Sequence, residues 1–317
     1  MLTVNNVFFS YHQSLIIEDV SFSIEKGLNL AIMGESGCGK STLLKLIYGL
    51  HDLNEGQIFW NTKEILGPKY NLIPGMDFMK YLAQDFDLMP FITVSENIGK
   101  FLSNVNPKQK KERILEVLEI VEMTEYANTK AKFLSGGQMQ RVAIARVLAL
   151  EPEVLLLDEP FSHIDTFRKN SLRRKLYAYL KQKGITCITA SHDSMEVLSF
   201  ADNVVVMAEG KIIESGHPKA IFDNPKSTYI ASLFGDVNKI EKHYFEESSL
   251  ENDFLFVYPH QLRVVENSKL KVKVIKSYFM GSHYLIEAEY EKGILFFENQ
   301  TNFLAGTTLY LKKHPKN

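Results

Sequence analysis

A glycine-rich segment near the N-terminus has the residue types and spacing of a phosphate-binding loop. Residues 34–41 read Gly-Glu-Ser-Gly-Cys-Gly-Lys-Ser, which fits the pattern G-x-x-x-x-G-K-[ST]. Glycines let consecutive backbone N–H groups converge on phosphate oxygens at the positive end of a helix dipole. Lys40 is therefore predicted to bridge the β- and γ-phosphates of ATP, in binding and in catalysis, and Ser41 to ligate Mg²⁺. Further contacts to ATP are predicted at Gly34, Ser36, Gly37, Cys38, Gly39 and Thr42.

Two adjacent carboxylates supply the second half of this chemistry further along the chain. The apolar run at residues 153–158 (EVLLLD) ends in Asp158, and Glu159 follows directly. Acidic pairs at the ends of strands are common, so this pair takes its meaning from the phosphate-binding loop that accompanies it. Asp158 is predicted to bind the metal ion, and Glu159 is the candidate base for a water molecule.

An alternation of strands and helices is predicted to position these residues. The apolar run LNLAIM (28–33) precedes the loop, and STLLKLIYGL (41–50) follows it with helical spacing. An amphipathic helix is predicted at 111–123, and a later helix ends at Gly184 before another buried strand. The EVLLLD run is apolar on both faces, which is typical of a parallel strand buried on both sides. The prediction is an α/β fold whose parallel sheet is covered on both faces.

Composition limits the class of protein. A chain of 317 residues corresponds to about two domains. The formal net charge of −2 excludes a polybasic binder of nucleic acid or lipid on composition alone, and 45% apolar residues exclude the disordered and fibrous classes. Cys38 and Cys187 form neither a disulfide framework nor a zinc motif, which predicts a reducing compartment. No signal peptide is predicted, and no apolar run reaches the ~18 residues of a membrane helix.

The sequence pattern changes near residue 236. Helical periodicity disappears, and short β-like runs follow: FLFVY, LKVKVIKSY, HYLIEAEY, GILFFEN and TLYLK. In the third run Tyr284, Ile286 and Ala288 alternate with Leu285 and Glu287, which is the period of a half-exposed antiparallel strand. The sequence therefore predicts a small all-β domain at the C-terminus.

A third motif resembles one particular family. Residues 134–141 (LSGGQMQR) resemble the signature motif of ABC-transporter ATPases. In the family's order, Gln84 resembles the Q-loop glutamine, residues 162–165 the D-loop, and His192 the switch histidine. The resemblance implies catalytic roles for Gln84 and His192, and it implies that Gln84 is also a ligand of the metal ion. It implies that signature and D-loop residues bind ATP, namely Ser135, Gly136, Gly137, Gln138 and Asp165. Tyr11 is placed like the aromatic residue that stacks on adenine, although Phe8 or Phe9 could take that role.

The resemblance also implies a fold class and a domain order. It implies a P-loop ABC ATPase domain, with a mixed, largely parallel sheet and a helical subdomain, followed by a small all-β OB-like domain. The expected bounds are 1–238 for the ATPase domain, 86–150 for its helical subdomain, 239–252 for a linker and 253–317 for the transport-associated-type domain. FLFVYPHQLRV resembles the first strand of that domain, with Tyr-Pro-His in place of Arg-Pro-Glu.

Within the family, residues 1–238 are similar to ATPases of bacterial importers for polyamines, ferric iron, sulfate and sugars. This implies an ATP-dependent homodimer in which each ATP lies between the phosphate loop of one subunit and residues 135–137 of the other. It also implies integral membrane permease subunits as partners and, indirectly, an external solute-binding protein. The chain is then expected in the cytoplasm, on the inner face of the cell membrane. The apolar segment 85–98 would form the docking groove for a permease helix.

Two other functions stay open on the sequence alone. One is a soluble ABC ATPase that acts on nucleic acid or ribosomes, and the other is the ATPase of an exporter. Soluble machines usually join two cassettes or carry a long coiled-coil insertion, and this sequence has neither. OB-like domains can bind single strands through aromatic residues and a basic groove. From residue 251 onward, however, nine Lys or Arg accompany seven Asp or Glu, a weak electrostatic footprint. No nucleic-acid partner is expected, and the solute stays open.

Overall fold

The computed structural model describes residues 1–245 and 253–314. The chain divides into two compact units, Met1–Pro218 and Lys219–Asn317. Among the described residues, no helix combines the length and apolar character needed to cross a membrane.

The first unit contains ten strands and six helices among its described residues, and a seventh helix begins at its end. The strands are β1 (Leu2–Tyr11), β2 (Ser14–Ile24), β3 (Asn29–Met33), β4 (Glu55–Trp60), β5 (Lys63–Glu64), β6 (Met79–Leu82), β7 (Val154–Asp158), β8 (Thr186–Ala190), β9 (Asn203–Ala208) and β10 (Lys211–Gly216). The helices are α1 (Lys40–Tyr48), α2 (Val94–Gly99), α3 (Pro107–Ile120), α4 (Gly136–Ala149), α5 (Thr166–Lys183), α6 (Ser194–Phe200) and α7 (Pro218–Asp223).

A six-stranded sheet forms the centre of this unit, in the order β10-β9-β3-β8-β7-β6. All neighbours are parallel except β10, which pairs antiparallel with β9. Every residue of β7 is buried because its two faces meet two different cores. Leu156 packs in the core that contains α1, whereas Leu155 packs in the core that contains α4 and α5. The predicted α/β fold with a largely parallel, doubly covered sheet is confirmed.

Two further layers complete the first unit. A second sheet has the order β2-β1-β4-β5, and Val4 and Ile58 from it pack in the core with α1. Helices α2, α3 and α4 lie within the predicted helical region. The α3 helix begins at Pro107, with the Asn106 side chain accepting a hydrogen bond from the Gln109 N–H. It therefore starts four residues before the predicted helix, because proline at the first turn fits a helix N-terminus.

The second unit is mainly antiparallel β-structure. Its elements are α8 (Thr228–Ser232), β11 (Asn238–Glu241), β12 (Phe254–Val257), β13 (Leu262–Val265), β14 (Leu270–Phe279), β15 (Tyr284–Tyr290), β16 (Gly293–Asn299) and β17 (Thr308–Lys313). Five strands form one sheet in the order β13-β17-β14-β15-β16, and β11 pairs with β12. Its apolar core includes Val272, Ile286 and Phe297. The predicted all-β character of the C-terminal region is confirmed.

The division between the units lies twenty residues before the expected boundary at 238. Residues beyond Pro218 have partners in the C-terminal unit, since Tyr258 stacks on Phe222 with ring centroids 4.5 Å apart. The Tyr258 hydroxyl also donates a hydrogen bond to the Ala231 carbonyl (3.3 Å). The expected linker at 239–252 begins within β11, and its residues 246–252 lie outside the described residues. The Tyr-Pro-His segment thus anchors the preceding helices by ring stacking.

Candidate nucleotide site

The glycine-rich segment forms the turn between β3 and α1. Gly37 and Gly39 have φ angles of 86° and 106°, a backbone region that glycine adopts without steric cost. At Gly34 a Cβ atom would lie 2.4 Å from the Met207 carbonyl oxygen, so a larger residue would collide with β9. The sequence therefore folds locally into a glycine-dependent loop that leads directly into α1.

Lys40, the first residue of α1, is buried against this loop. Its Nζ donates hydrogen bonds to the carbonyl oxygens of Gly34 (2.7 Å) and Glu35 (2.8 Å). Lys40 itself is 6% exposed, so its positive charge is held within the loop. The remaining predicted loop contacts, Ser36, Cys38 and Thr42, lie in the same turn and in the first turn of α1.

Ser41 and Asp158 meet where the loop faces the carboxyl end of β7. The Ser41 hydroxyl donates a hydrogen bond to Asp158 Oδ1 (3.0 Å), and the Tyr81 hydroxyl donates one to Oδ2 (3.2 Å). Burial raises the pKa of Asp158, while these two hydrogen bonds act in the opposite direction. A hydroxyl and a carboxylate at this distance are oxygen donors of the kind that Mg²⁺ prefers. The pair fits the predicted metal site.

Glu159 and His192 form a second contact at the same sheet edge. The two strands β7 and β8 are in register at Asp158 and Ala190, so the residues that follow them emerge side by side. His192 Nδ1 lies 3.1 Å from Glu159 Oε1. The Glu159 backbone has φ 48°, an uncommon conformation for a residue with a side chain, and its N–H donates to the Ala190 carbonyl (3.0 Å). The structure therefore brings the candidate base and the candidate switch histidine together.

Two residues that the sequence analysis did not single out support this centre. Tyr81 binds Asp158 as described above, and Gln140 of α4 is buried beneath the loop after β7. Gln140 Nε2 donates to the Glu159 carbonyl (3.0 Å), and its Oε1 accepts from the His163 N–H (3.0 Å). The sequence did carry a signal for Gln140: it lies two residues before a run of apolar residues in α4, and a polar side chain buried there needs hydrogen-bond partners.

The signature residues form a separate site at the N-terminus of α4. The Ser135 side chain accepts a hydrogen bond from the Gln138 N–H, and the Gln138 side chain accepts one from the Ser135 N–H. At Gly137 a Cβ atom would lie 2.7 Å from the His163 carbonyl oxygen, so the close approach of the D-loop favours glycine.

A cavity of about 440 Å³ is lined by signature and D-loop residues, including Gly136 and Asp165. Asp165 directly precedes α5. Within the described part of the chain, residues 34–42 do not line this cavity. The structure therefore brings the signature motif together with the D-loop and keeps both apart from the phosphate loop.

The remaining predicted residues, Tyr11 and Gln84, are exposed on the surface of the first unit. Tyr11 is 38% exposed, whereas Phe9 is 6% exposed. The Tyr11 ring makes an edge-to-face contact with the Phe9 ring, with the two centroids 4.8 Å apart. The Tyr11 hydroxyl lies 3.1 Å from His51 Nε2. Phe8 is half-buried, so Tyr11 is the aromatic candidate with the most accessible ring. Gln84 is exposed on the loop after β6, the strand that neighbours β7.

The phosphate loop follows β3, and the two carboxylates follow β7, which is separated from β3 by β8 alone. This arrangement defines a P-loop nucleotide-hydrolysing domain. Comparison with known proteins narrows this class. The sequence pattern of the family described as ABC transporter matches residues 17–162.

Curated relatives extend this match beyond the family pattern. The spermidine/putrescine import ATP-binding protein PotA of Clostridioides difficile is 32% identical over 327 residues, covering 96% of this chain and 93% of the relative. PotA of Haemophilus ducreyi is 34% identical, covering 86% and 75%. The Fe(3+) ions import ATP-binding protein FbpC of Haemophilus influenzae is 34% identical, covering 79% and 72%.

Solved structures show the same fold. The chain matches the dimeric post-hydrolysis state of the ATP-binding cassette MJ0796 with ADP and Pi at a TM-score of 0.61 and 27% identity, covering 69% of this chain and 99% of that one. It matches cbiO1 of Clostridium perfringens at a TM-score of 0.63 and 30% identity, covering 70% and 90%. The chain belongs to the ABC transporter family. It is an ATP-binding subunit and ATPase of the importer type.

Proposed function

We propose that two copies of this chain bind ATP head-to-tail, with Mg²⁺, and hydrolyse it to drive solute uptake through separate permease subunits. The observation that carries this proposal is the pairing of Ser41 with Asp158 and of Glu159 with His192 at one sheet edge. The signature cavity is separate within one chain. Each chain therefore carries two incomplete half-sites, which a second copy can complete.

In the first half-site the loop amides and Lys40 hold the phosphates. Lys40 Nζ exchanges the carbonyl oxygens of Gly34 and Glu35 for phosphate oxygens, which are stronger partners for an ammonium group. Ser41, Asp158 and Gln84 would hold Mg²⁺. When bound, the metal neutralises the charge that develops on the phosphates.

Glu159 then accepts a proton from the attacking water. Its carboxylate side chain is 20% exposed, so water can reach it while the surrounding loop restricts its movement. His192 holds this carboxylate in place through Nδ1 (3.1 Å), and on the family resemblance its exposed ring would also contact the γ-phosphate of bound ATP. The Gln140 side chain fixes the backbone of the same loop from below.

The second half-site supplies hydrogen-bond donors from the other subunit. Ser135 and the amides of Gly136 and Gly137 lie at a helix N-terminus, where an anion is stabilised by unpaired N–H groups and the helix dipole. Gln138 and Asp165 border the same cavity. The match to a dimeric ATP-binding cassette with ADP and Pi supports the pairing of two copies.

Partners and location follow from the importer class. We expect integral membrane permeases to bind the segment 85–98, where Phe91 is 71% and Met89 is 40% exposed. The chain then acts in the cytoplasm, on the inner face of the membrane, and an external solute-binding protein participates indirectly. Relatives named for spermidine/putrescine import and for Fe(3+) import both match, so the comparison does not select one solute.

Exchange of a single carboxylate tests the proposed chemistry. Glu159→Gln should leave ATP binding nearly intact and lower hydrolysis by at least ~10²-fold, because a positioned general base is lost. Glu153→Gln is the matched control, since Glu153 precedes the same strand at its other end and pairs with Lys26 there. Turnover of the Glu159→Gln variant within a few-fold of the unmodified chain would remove Glu159 from this role.

A further inference from the structure

His192 is held at Glu159 with little help from packing of its own ring. Its side chain is 65% exposed, so few neighbours restrict its rotation and position. The residues on both sides of His192 are less exposed than its ring: Ser191 is 3% exposed, and the Asp193 side chain is 28% exposed. The position of the imidazole therefore depends on how these two neighbours are anchored.

Ser191 is anchored to a buried carboxylate of α6. Its hydroxyl donates a hydrogen bond to Glu196 Oε2 (2.7 Å) and accepts one from the Asp193 N–H (3.1 Å). Glu196 is 4% exposed, and its other oxygen, Oε1, accepts a hydrogen bond from the Tyr177 hydroxyl (2.7 Å). The serine before His192 is thus tied to a buried polar centre between α5 and α6.

Asp193 is anchored to the same centre from α5. Arg173 Nη2 donates a hydrogen bond to Asp193 Oδ2 and lies 3.6 Å from Glu196 Oε2. The Arg173 guanidinium also lies over the Phe161 ring, 5.2 Å from its centroid. Phe161 follows Glu159 by two residues, so one buried arginine contacts both the loop that carries Glu159 and the loop that carries His192.

We propose that Ser191 and Arg173 are positioning residues for hydrolysis, which hold the backbone on both sides of His192 so that its imidazole stays beside Glu159. This inference rests on the proposed role of His192. Hydrogen bonds within a buried network restrict movement more than exposed ones do. The contacts that Ser191 and Arg173 make with the segment around His192 therefore govern the rate of the chemical step and have little effect on ATP affinity.

Ser191 gives the cleaner test, because removing Arg173 would leave the buried Glu196 carboxylate without its cation. Ser191→Ala in the full chain should lower kcat by about 10- to 100-fold, the effect expected for misplacing a reacting group, with KM for ATP unchanged within about twofold. Tyr177→Phe is the matched control, since it deletes a hydrogen bond to the same Glu196 carboxylate without touching a neighbour of His192. It should lower Tm as much as Ser191→Ala and keep kcat within about twofold. Ser191→Thr keeps the hydroxyl and should restore most of kcat.

Three results would overturn the proposal. The first is a Ser191→Ala variant with unchanged kcat while His192→Ala is inactive, which would leave the proposed function standing and remove the positioning role. The second is an equal loss of kcat in Ser191→Ala and Tyr177→Phe, which would show general destabilisation. The third is a Ser191→Thr variant as slow as Ser191→Ala. Full activity of His192→Ala would instead overturn the proposed role of His192 itself, and this inference with it.

Discussion

The two half-sites of this chain differ in how their polar groups are held. In the phosphate-loop half, Lys40 is buried against loop carbonyls, and Asp158 accepts hydrogen bonds from residues of α1 and β6. In the signature half, Ser135 is exposed, and it and Gln138 satisfy each other in a capping box. One half is therefore a fixed set of reactive groups, and the other is a helix N-terminus open to solvent.

This difference shows where catalysis and where assembly are encoded. Charged groups fixed before the nucleotide binds need little reorganisation during the reaction. An open helix N-terminus adds hydrogen-bond donors only when a phosphate is presented to it. The phosphate-loop half should therefore control affinity and chemistry, and the signature half should control closure of the dimer.

The largest effect is expected from the buried lysine. Lys40→Ala should weaken ATP binding by about 10- to 100-fold, because it removes charge-assisted hydrogen bonds to the phosphates. Lys211→Ala is the control, since Lys211 is an exposed lysine of β10 that pairs with Glu18. Equilibrium binding of a fluorescent ATP analogue gives both affinities. An unchanged affinity in the Lys40→Ala variant would place the phosphates elsewhere.

A smaller effect is expected from the cap of the signature helix. Ser135→Ala should lower ATP turnover by about tenfold, one hydrogen bond to a charged group being lost in the closed dimer. Ser227→Ala is the matched control, because the Ser227 side chain also caps a helix, its Oγ accepting a hydrogen bond from the Ile230 N–H (3.2 Å) at the start of α8. Each variant should lose about 1 kcal/mol of stability through its cap. Equal turnover in the two variants would reduce Ser135 to a structural cap.

The smallest effect is expected from the phenol that supports the metal site. Tyr81→Phe removes the donor to Asp158 Oδ2 and leaves the Ser41 contact to Oδ1 in place. The concentration of Mg²⁺ at which the metal site of the ATP complex is half occupied should rise by about three- to tenfold. Titration of Mn²⁺ in place of Mg²⁺ into the ATP complex, followed by electron paramagnetic resonance, measures the corresponding change in metal affinity. An unchanged titration would show that Tyr81 packs beside Asp158 without orienting it.

Sequence spacing predicted the features whose determinants lie close together in the chain. The phosphate loop needs eight consecutive residues, and the buried strand before Glu159 is visible from its apolar run alone. Alternation along β15 likewise predicted the all-β character of the C-terminal unit. Each of these depends on local periodicity, which folding preserves.

The missed features depend on contacts between distant residues. Tyr81 and Asp158 are 77 positions apart, and Gln140 and Glu159 are 19 apart on different elements. The stacking of Tyr258 on Phe222 likewise joins residues that lie far apart in the sequence. No local pattern specifies which distant side chain a buried polar group will meet, so these contacts required the folded structure.

The central claim is that the phosphate loop of one chain and the signature motif of another enclose the same ATP. Glu159→Gln slows hydrolysis, so dimers formed with ATP should persist and be visible by light scattering. Adding Ser135→Arg places a bulky cation at the open helix N-terminus, and the doubly substituted chain should stay monomeric with ATP. Glu159→Gln combined with Ser103→Arg, an exposed serine outside both half-sites, should still dimerise. A Glu159→Gln, Ser135→Arg chain that dimerises with ATP as readily as Glu159→Gln alone would contradict the account.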